Sequence, residues 1–374
     1  MTTDNIGLYV HVPFCIRKCA YCDFASFSNV DKGARERYIE RLCEEVESYK
    51  REEKIGVDTI FFGGGTPSLL EPDELSCILA SVRKSFNITP DAEITMEMNP
   101  GTVTPQKVRA YAALGVNRVS IGCQSFNENE LKILGRIHNS MLIYDAVRIV
   151  KDAGITNVSL DLMYGIPEQT AASFAHTLRE ALSLDPTHLS VYGLILEEGT
   201  PFFDARDRLA LPSEDEECDM YALASMILGE HGFSHYEISN YARPGYECRH
   251  NLKYWHDDEY IGVGLAAYSY YGKNRYGNTS KLDEYISDSY VQYRYGEAIT
   301  DVDEAFEYVM MRLRLSEGFS LSDYRTRFGV DFTVGREDAL ERYTSHGYLK
   351  ISGDRISLTE SGFYISNTIL SDLL

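Results

Sequence analysis

Apolar runs of β-type composition alternate with amphipathic stretches through the first two hundred residues of this 374-residue chain. Such alternation predicts βα units, which assemble into a parallel sheet with right-handed crossovers. The predicted strands are Gly7–His11, Val57–Phe62, Ala92–Met98, Asn117–Cys123, Asn157–Met163 and Thr187–Leu196. The predicted helices are Ala34–Lys50, Pro72–Phe86, Pro105–Leu114, Met141–Ala153 and Ala171–Leu184. Six units are too few to close an eight-unit barrel, and functional residues are expected at the carboxyl ends of the strands.

Three cysteines, Cys15, Cys19 and Cys22, follow the first predicted strand in C-x3-C-x2-C spacing. Three thiolates can bind three irons of a [4Fe–4S] cluster and leave the fourth iron open, whereas closed electron-transfer clusters normally take four cysteines. An open metal position can bind a small chelating ligand. The residues alone also allow a zinc site, a disulfide or buried small apolar side chains. His11 is a candidate fourth zinc ligand, but it lies within the predicted strand, on the far side of a proline.

Composition is that of an ordinary globular protein, with 44% hydrophobic and 25% charged residues. A formal net charge of −21 disfavours phosphate binding and therefore a nucleic-acid partner. The sequence contains neither a signal-peptide pattern nor an 18-residue apolar run, so we expect no membrane span. Eight cysteines without a secretory signal indicate a reducing compartment, and we expect a cytoplasmic protein.

Glycines and polar residues mark the carboxyl ends of the later predicted strands. The GGGTP run at residues 63–67 indicates a tight turn, and its glycines also allow backbone to approach a ligand closely. Glu97 ends the third strand, where a carboxylate faces either solvent or an ammonium or hydroxyl group. Gln124, Arg136 and Asp161 follow, and their amide, guanidinium and carboxylate groups suit ribose hydroxyls and a carboxylate ligand.

The segment CIRKCAYC, with Tyr21 before its last cysteine, resembles the signature of the radical S-adenosylmethionine (SAM) superfamily. The resemblance implies an α/β fold with a partial (β/α)6, TIM-like barrel. It implies a [4Fe–4S] cluster on the three cysteines, with SAM chelating the open iron, and it assigns the methionine amino group to the GGGTP loop. The implied SAM-binding residues are Tyr9, Tyr21, Gly64, Gly65, Thr66, Glu97, Gln124, Arg136 and Asp161.

Several of these positions are similar to the branch that contains oxygen-independent coproporphyrinogen III dehydrogenase. Two departures weaken that assignment: only fourteen residues precede Cys15, and Phe24 stands where the dehydrogenase has a further cysteine. The chain instead resembles the HemW-type heme chaperone family in its short start, in Phe24 and in the HNxxYW motif at residues 250–255. The resemblance implies that the chain handles heme.

Three residues of HNxxYW are heme candidates: His250 as an iron ligand, and Tyr254 and Trp255 as porphyrin-packing aromatics. Cys248 is an alternative ligand. The same residues also fit a hydrogen-bonded structural histidine that braces the open edge of the barrel.

We expect residues 1–200 to form the barrel with the cluster and SAM sites. Residues 201–300 would extend the barrel edge and carry HNxxYW, and residues 301–374 would form a small winged-helix-like domain. Its acidic surroundings favour docking or capping over DNA binding.

The functional hypothesis is a radical SAM protein that binds heme and delivers it to an acceptor hemoprotein. An electron donor such as a flavodoxin or ferredoxin is expected, and a homodimer is left open. The first alternative is radical chemistry on a tetrapyrrole, either oxidative decarboxylation of coproporphyrinogen III or methylation or ring opening of heme. The second is a structural cluster protein that does not use SAM. No catalytic residue is assigned.

Overall fold

The computed structural model of the protein describes residues 5–287 and 297–374. Up to residue 200 it confirms the predicted alternation. The strands are β1 (Asn5–Val12), β2 (Phe14–Cys15), β3 (Phe27–Ser28), β4 (Gly56–Gly64), β5 (Asn87–Met98), β6 (Arg118–Gln124), β7 (Asn157–Tyr164) and β8 (His188–Gly193). The helices are α1 (Lys32–Ser48), α2 (Pro72–Ser85), α3 (Pro105–Leu114), α4 (Glu128–Ile133), α5 (Ser140–Asp152) and α6 (Ala171–Ser183).

Shorter elements follow residue 200. The edge elements are α7 (Pro201–Ala205), α8 (Glu214–Glu230), β9 (Ser234–Glu237), β10 (Asn240–Ala242), α9 (Arg249–His256), β11 (Tyr260–Val263), β12 (Tyr268–Tyr271), β13 (Asn274–Gly277), α10 (Leu282–Tyr285) and β14 (Glu297–Ala298). The carboxyl-terminal elements are α11 (Asp301–Arg312), β15 (Phe319–Ser320), α12 (Leu321–Phe328), α13 (Glu337–Ser345), β16 (Leu349–Ser352), β17 (Arg355–Leu358), α14 (Glu360–Tyr364) and α15 (Ser366–Leu373). Single 3-10 turns lie at Pro67–Leu69, Pro100–Thr102 and Arg206–Arg208.

Local sequence sets where the barrel helices begin and end. The side chain of Asp31 accepts a hydrogen bond from the Ala34 amide at the start of α1, and Thr104 does the same for Lys107 in α3. These bonds satisfy amide groups that a helix start otherwise leaves unpaired. Gly115 ends α3 with φ at 112°, in the left-handed region that glycine adopts at low cost.

The sheet is an open barrel. Strands β1, β4, β5, β6, β7 and β8 lie side by side and parallel, and β11 adds a further parallel strand beside β1. Antiparallel strands β12 to β14 continue beyond β11, and β10 and β9 continue beyond β8. No pairing joins the two ends of this twelve-stranded order in the part of the chain that the structure describes. The predicted six-strand partial barrel is therefore present and is extended at both edges.

The barrel interior is polar, although its outer face is not. Successive strand residues point to opposite faces, and outward-facing Leu8, Ile60 and Val119 are fully buried under the helices. On the interior face, Glu97 of β5 is in register with Ser120 of the adjacent strand β6. Asp161 of β7 is likewise in register with Ser190 of the adjacent strand β8. Polar interior residues at the carboxyl ends of the strands are therefore available to a ligand.

The carboxyl-terminal elements have a small core of their own around Tyr308, Phe319 and Tyr324, beside the antiparallel sheet β15-β17-β16. This arrangement agrees with the predicted winged-helix-like module. An ion pair of 3.2 Å between Arg327 and Asp257 joins it to the barrel edge. The division at residues 200 and 300 stays a prediction, and residues 288–296 of the predicted edge extension lie outside the described residues. In residues 5–287 and 297–374, none of the helices has the length and apolarity to cross a bilayer.

Candidate functional site

The three cysteines of the C-x3-C-x2-C segment lie at one mouth of the barrel: Cys15 ends β2, and Cys19 and Cys22 lie between β2 and β3. All three are free thiols, half-buried, and all three line the same cavity of about 550 Å³. The Cys15 sulfur lies 3.5 Å from the Thr66 hydroxyl, and the Cys19 sulfur accepts a hydrogen bond of 3.5 Å from Arg136. Burial raises the pKa of the Cys22 thiol, and Lys18 partly opposes that rise.

The GGGTP loop approaches the cysteine segment so closely that only glycine fits. A Cβ atom on Gly65 would lie 2.8 Å from the Phe14 carbonyl oxygen and 2.9 Å from that of Val12. Gly64 has φ at 110°, and a Cβ atom there would lie 2.5 Å from the His11 ring. The loop therefore presents backbone, rather than side chains, beside the thiols.

Two carboxylates, on the strands β5 and β7 that flank β6, line the same cavity. Glu97 accepts a hydrogen bond of 3.1 Å from the Gly64 amide, and Asp161 accepts one of 2.7 Å from Ser120. Burial, followed by the repulsion of Asp161, raises the pKa of Glu97 to about 8. Burial also raises the pKa of Asp161, although Ser120, Arg136 and other neighbours favour its charged form. A cationic ligand would therefore be attracted here, because it would stabilise both carboxylates.

Arg136 and Gln124 complete the polar lining. Arg136 donates 2.7 Å to the Gly122 carbonyl, and its Nε atom is buried without a partner. Gln124 has φ at 68°, unusual for a residue other than glycine, and its amide oxygen accepts a bond of 2.7 Å from Tyr192. A buried donor without a partner and a strained strand end both occur at ligand sites.

The two predicted tyrosines take different positions. Tyr21 lines the cavity, and burial raises its pKa. Tyr9 lies behind the lining: its hydroxyl pairs with His11 at 3.1 Å and its ring stacks on Phe61. The second nitrogen of His11 contacts the Ala25 carbonyl at 2.9 Å, so both of its ring nitrogens have protein partners.

The donor set fits a three-thiolate cluster with a small ligand better than it fits zinc. In residues 5–287 and 297–374, no three His, Cys, Asp or Glu side chains converge as ligands of a single ion. One cavity is instead surrounded by the three free thiols, by the unpartnered Nε of Arg136 and by Gly64 and Gly65 of the GGGTP loop, which we call the glycine cradle. An iron–sulfur cluster tolerates thiolates that are further apart, because each binds a different iron.

The HNxxYW motif forms most of α9, which contacts the amino ends of β1 and β4, at the other end of these strands from the cysteines, although its Asn251 reaches the cavity. His250 is 1% exposed, and its ring nitrogens contact the Thr59 hydroxyl at 2.8 Å and the Tyr254 hydroxyl at 2.9 Å. Its ring stacks on Phe61. Burial, with the charge of Lys253 adding to it, lowers the pKa of His250 to about 3, so the imidazole is neutral.

The other candidates of this region are also held by protein contacts. Trp255 packs under the guanidinium of Arg314, and its indole N–H is buried without a partner. Cys248 is fully buried, with its sulfur 3.7 Å from a carboxylate oxygen of Glu93. Helix α9 therefore closes the end of the barrel where β1 and β4 begin, which we call the floor, and protein contacts hold this helix in place.

Comparison with known proteins identifies the family. A model of the radical SAM superfamily matches residues 9–181, and a model of the HemN C-terminal domain matches residues 299–365. The heme chaperone HemW of Escherichia coli is 37% identical over 98% of this chain and 97% of its own length. HemW of Lactococcus lactis is 34% identical over 98% of this chain and 96% of its own length.

This chain belongs to the HemW family of the radical SAM superfamily.

A solved structure confirms the fold of this radical SAM protein along its whole length. Coproporphyrinogen III oxidase (HemN) from Escherichia coli, described as a radical SAM enzyme, superposes with a TM-score of 0.87 at 24% identity. The match covers 99% of this chain and 90% of that chain. The partial barrel and the carboxyl-terminal module are therefore one architecture in both proteins.

Sequence reasoning missed several cavity residues of this HemW-family protein. They are Phe61, Arg118, Ser120, Ser190, Tyr192 and Asn251. The signal was present, because polar residues recur at every second position of otherwise apolar strands, as in Arg118 and Ser120 of β6. In a barrel, that period marks the inward face.

Proposed function

We propose that this protein holds a [4Fe–4S] cluster and SAM in the cavity at the barrel mouth, and that it binds heme and passes it to an acceptor hemoprotein. The observation that carries the proposal is the convergence on one cavity of three free thiols, the glycine cradle and four polar residues, Glu97, Gln124, Arg136 and Asp161. The heme part is supported by relatives that are named heme chaperones and match nearly the whole chain.

The chain's own groups divide the work of holding the cofactors. Cys15, Cys19 and Cys22 would hold the cluster, which when bound supplies an electron to a sulfonium ligand on its open iron. Glu97 is suited to a ligand ammonium group, and Asp161 and Gln124 to ribose hydroxyls. The Tyr9 ring stacks on Phe61, which lines the cavity, and so holds that side chain in place.

The heme is proposed to lie at the mouth of the same cavity. Phe24 and Ile195 line the cavity, yet their side chains are 64% and 68% exposed. Large apolar groups exposed at a cavity rim mark binding sites, and the porphyrin ring is a flat apolar ligand that would cover them. Arg17 and Lys18 line the same rim, where two cationic side chains suit the two propionates.

Ligation by His250 is the competing proposal. It requires the imidazole to give up its contacts with Thr59 and Tyr254 and to become accessible from a 1% exposed position. Leaving a buried hydroxyl without a partner costs about 1–3 kcal/mol. The mouth is favoured because it is accessible without this rearrangement.

Heme titration of the wild type and three variants distinguishes binding at the mouth from ligation by His250. Removing two apolar contacts by the double substitution Phe24→Ser, Ile195→Ser should weaken heme binding about a hundredfold, since each large apolar side chain contributes about 1.5–3 kcal/mol when fully covered and about 1.4 kcal/mol is a factor of ten. Met226→Ser, at a 55% exposed methionine on α8, is the matched control and should leave the affinity unchanged. His250→Ala should retain the heme absorption band. An unaffected double variant, with loss of the band in His250→Ala, would move the heme to the barrel floor.

Radical chemistry on a tetrapyrrole is the second candidate, favoured by the position of the apolar rim directly beside the three cysteines. Anaerobic protein with cluster, reductant and SAM should be incubated with coproporphyrinogen III and with heme in parallel. The chaperone proposal expects no carbon dioxide from the first and unmodified heme from the second. It also expects that heme loaded on this protein moves to an apo-hemoprotein, measured by the shift of the absorption band. Release of carbon dioxide would favour the enzyme.

A further inference from the structure

Two cysteines that the proposed function does not use lie side by side between the first two barrel helices. Cys43 is on α1 and Cys77 is on α2, and their sulfur atoms are 3.5 Å apart. Cys43 is buried and Cys77 is exposed. A disulfide bond is about 2.05 Å long, so the sulfurs need to approach by about 1.5 Å to bond. Side-chain rotation and a small movement of the helices can supply that distance.

Contacts on either side of the pair keep the two helices in register. Arg35 of α1 donates 2.8 Å to Glu74 of α2, one or two turns before the cysteines. Glu47 of α1 accepts a bond of 3.2 Å from Ser81 and pairs with Lys84 beyond them. The cysteines are therefore the central contact of an ordered interface, which keeps their sulfurs close.

We infer that Cys43 and Cys77 form a modification site, at which a low-molecular-weight disulfide such as oxidised glutathione converts the two thiols into an intramolecular disulfide. The Cys77 thiolate attacks one sulfur of the small disulfide, which forms a mixed disulfide and releases the first small thiol. The Cys43 sulfur then attacks the Cys77 sulfur, and its proton leaves with the second small thiol. The protein loses two electrons and two protons, and the small disulfide gains both.

The order of these two steps follows from the positions of the thiols. Cys77 is exposed and meets a dissolved disulfide directly. Burial raises the pKa of Cys43 to about 12, and the nearby Cys77 adds to the rise, so Cys43 has little thiolate of its own. Cys43 is therefore the resolving thiol, and the reverse order is disfavoured.

The crosslink would join the two helices that follow the cluster segment and the GGGTP loop in the chain. Arg35, at the amino end of the same helix pair, donates 2.8 Å to the Leu69 carbonyl, and its guanidinium lies over the Phe14 ring. Phe14 precedes the first cluster cysteine, and Leu69 is three residues beyond Thr66. An oxidised pair would fix α1 to α2, and α1 in turn contacts both segments through Arg35 at its amino end.

The test uses the full chain, purified anaerobically with its iron and treated with oxidised glutathione. After alkylation of free thiols and trypsin digestion, Cys43 lies in the peptide of residues 42–50 and Cys77 in that of residues 55–83. We expect these two peptides linked, with the loss of two hydrogens, and released again by dithiothreitol. Cys218→Ser removes another exposed cysteine as the matched control and should leave the linkage unchanged.

Single variants test the proposed order. Cys43→Ser should stop at a glutathione adduct on Cys77, and Cys77→Ser should leave Cys43 alkylated and free of glutathione. Wild-type protein that accumulates the Cys77 adduct without the linked peptides would overturn the proposal. So would a glutathione adduct on Cys43 in Cys77→Ser, because it would reverse the roles of the two thiols.

Discussion

The two ends of the barrel use similar residue types for different purposes. At the mouth, carboxylates and a guanidinium face a cavity: Glu97 has a raised pKa, and Arg136 has a buried nitrogen without a partner. At the floor, His250 has protein partners on both ring nitrogens, and Lys253 forms an ion pair of 2.9 Å with Asp58. The mouth keeps bonding capacity for a ligand, whereas the floor, apart from the buried indole N–H of Trp255, uses its capacity within the protein.

Whether a buried polar group has protein partners therefore distinguishes a ligand site from a structural site better than its residue type does. A buried polar group stabilises the fold when its partners are internal, and it destabilises the fold when they are missing. The mouth therefore carries local instability that a bound ligand can relieve, and the floor supplies stability that does not depend on ligand. Substitutions at the two ends should accordingly affect cofactor binding and folding to different degrees.

The largest effect is expected at the three cysteines of the mouth that we propose as cluster ligands. Cys19→Ala should lose nearly all of the bound iron and of SAM cleavage, because two thiolates hold a four-iron cluster poorly. Iron content and 5′-deoxyadenosine formation after anaerobic reconstitution measure both. Cys123→Ala, at a fully buried cysteine of β6, is the control and should keep its iron. A Cys19→Ala protein with a complete, SAM-cleaving cluster would contradict the ligand assignment.

The ion pair of the floor should show the largest effect on folding. Lys253 and Asp58 have side chains only 5% and 15% exposed, so Lys253→Met leaves a mostly buried carboxylate with only its longer, 3.8 Å pair to Arg249. Breaking a buried pair costs about 3–5 kcal/mol, and the remaining Arg249 contact places the expected cost at the lower end of that range. Arg148→Met, which removes an exposed pair with Asp145 on α5, should change the free energy of unfolding by less than about 1 kcal/mol. Denaturant unfolding compares the two, and equal effects would refute the distinction between floor and surface.

The glycine cradle at the mouth should respond to a single methyl group. Gly65→Ala places a Cβ atom within 3.0 Å of three backbone atoms of the strand segment before the cluster cysteines. We expect a destabilisation of about 1–3 kcal/mol, as for other overpacked sites, together with weaker SAM binding. Gly229→Ala on α8, where a Cβ atom meets nothing within 4 Å, should be neutral or slightly stabilising. Calorimetric SAM titration and thermal unfolding test both variants.

The smallest effect concerns the pH dependence of stability. The pKa of Glu97 is raised from 4.5 to about 8 in the folded chain, so between these values the folded state binds a proton that the unfolded state has released. Stability from this group is complete below pH 4.5 and is lost as the pH rises towards 8. The full shift is worth about 4 kcal/mol between pH 5 and 9, and because the Glu97 side chain is only half-buried we expect the wild type without SAM to lose roughly 2 kcal/mol relative to Glu97→Gln. If the free energies of unfolding of the wild type and of Glu97→Gln differ by the same amount at every pH in this range, Glu97 does not titrate as described.

Much of the fold was predictable because its signals are local. Helix α3 was predicted at the bounds that the structure has, since Pro105 and Gly115 mark its two ends. Helix α8 begins after Ser213, whose hydroxyl accepts a bond of 3.3 Å from the Glu216 amide, and a serine before a run of acidic residues is a local start signal of a helix. The added strands at both edges of the barrel were not predicted as pairs, because their pairing joins residues that are far apart in the chain.

The site was predictable only in part. The cysteine spacing and the glycine run are visible in the sequence, and they lie together in the structure. The position of His250 was not visible, because an imidazole beside aromatics fits a metal ligand and a buried structural residue equally well. Its assignment depends on Thr59, 191 residues away in sequence, which lies within 2.8 Å.

Sequence by itself determined the six βα units, the helix caps, the spacing of the three thiols and the absence of side chains on the loop beside them. These features follow from backbone conformation and short-range periodicity, which adjacent residues specify. Tertiary structure alone decided which polar groups face the cavity, that α9 closes the floor, and that Cys43 meets Cys77. Such contacts arise when helices and strands pack against one another, and their free energy depends on partners that no local pattern identifies.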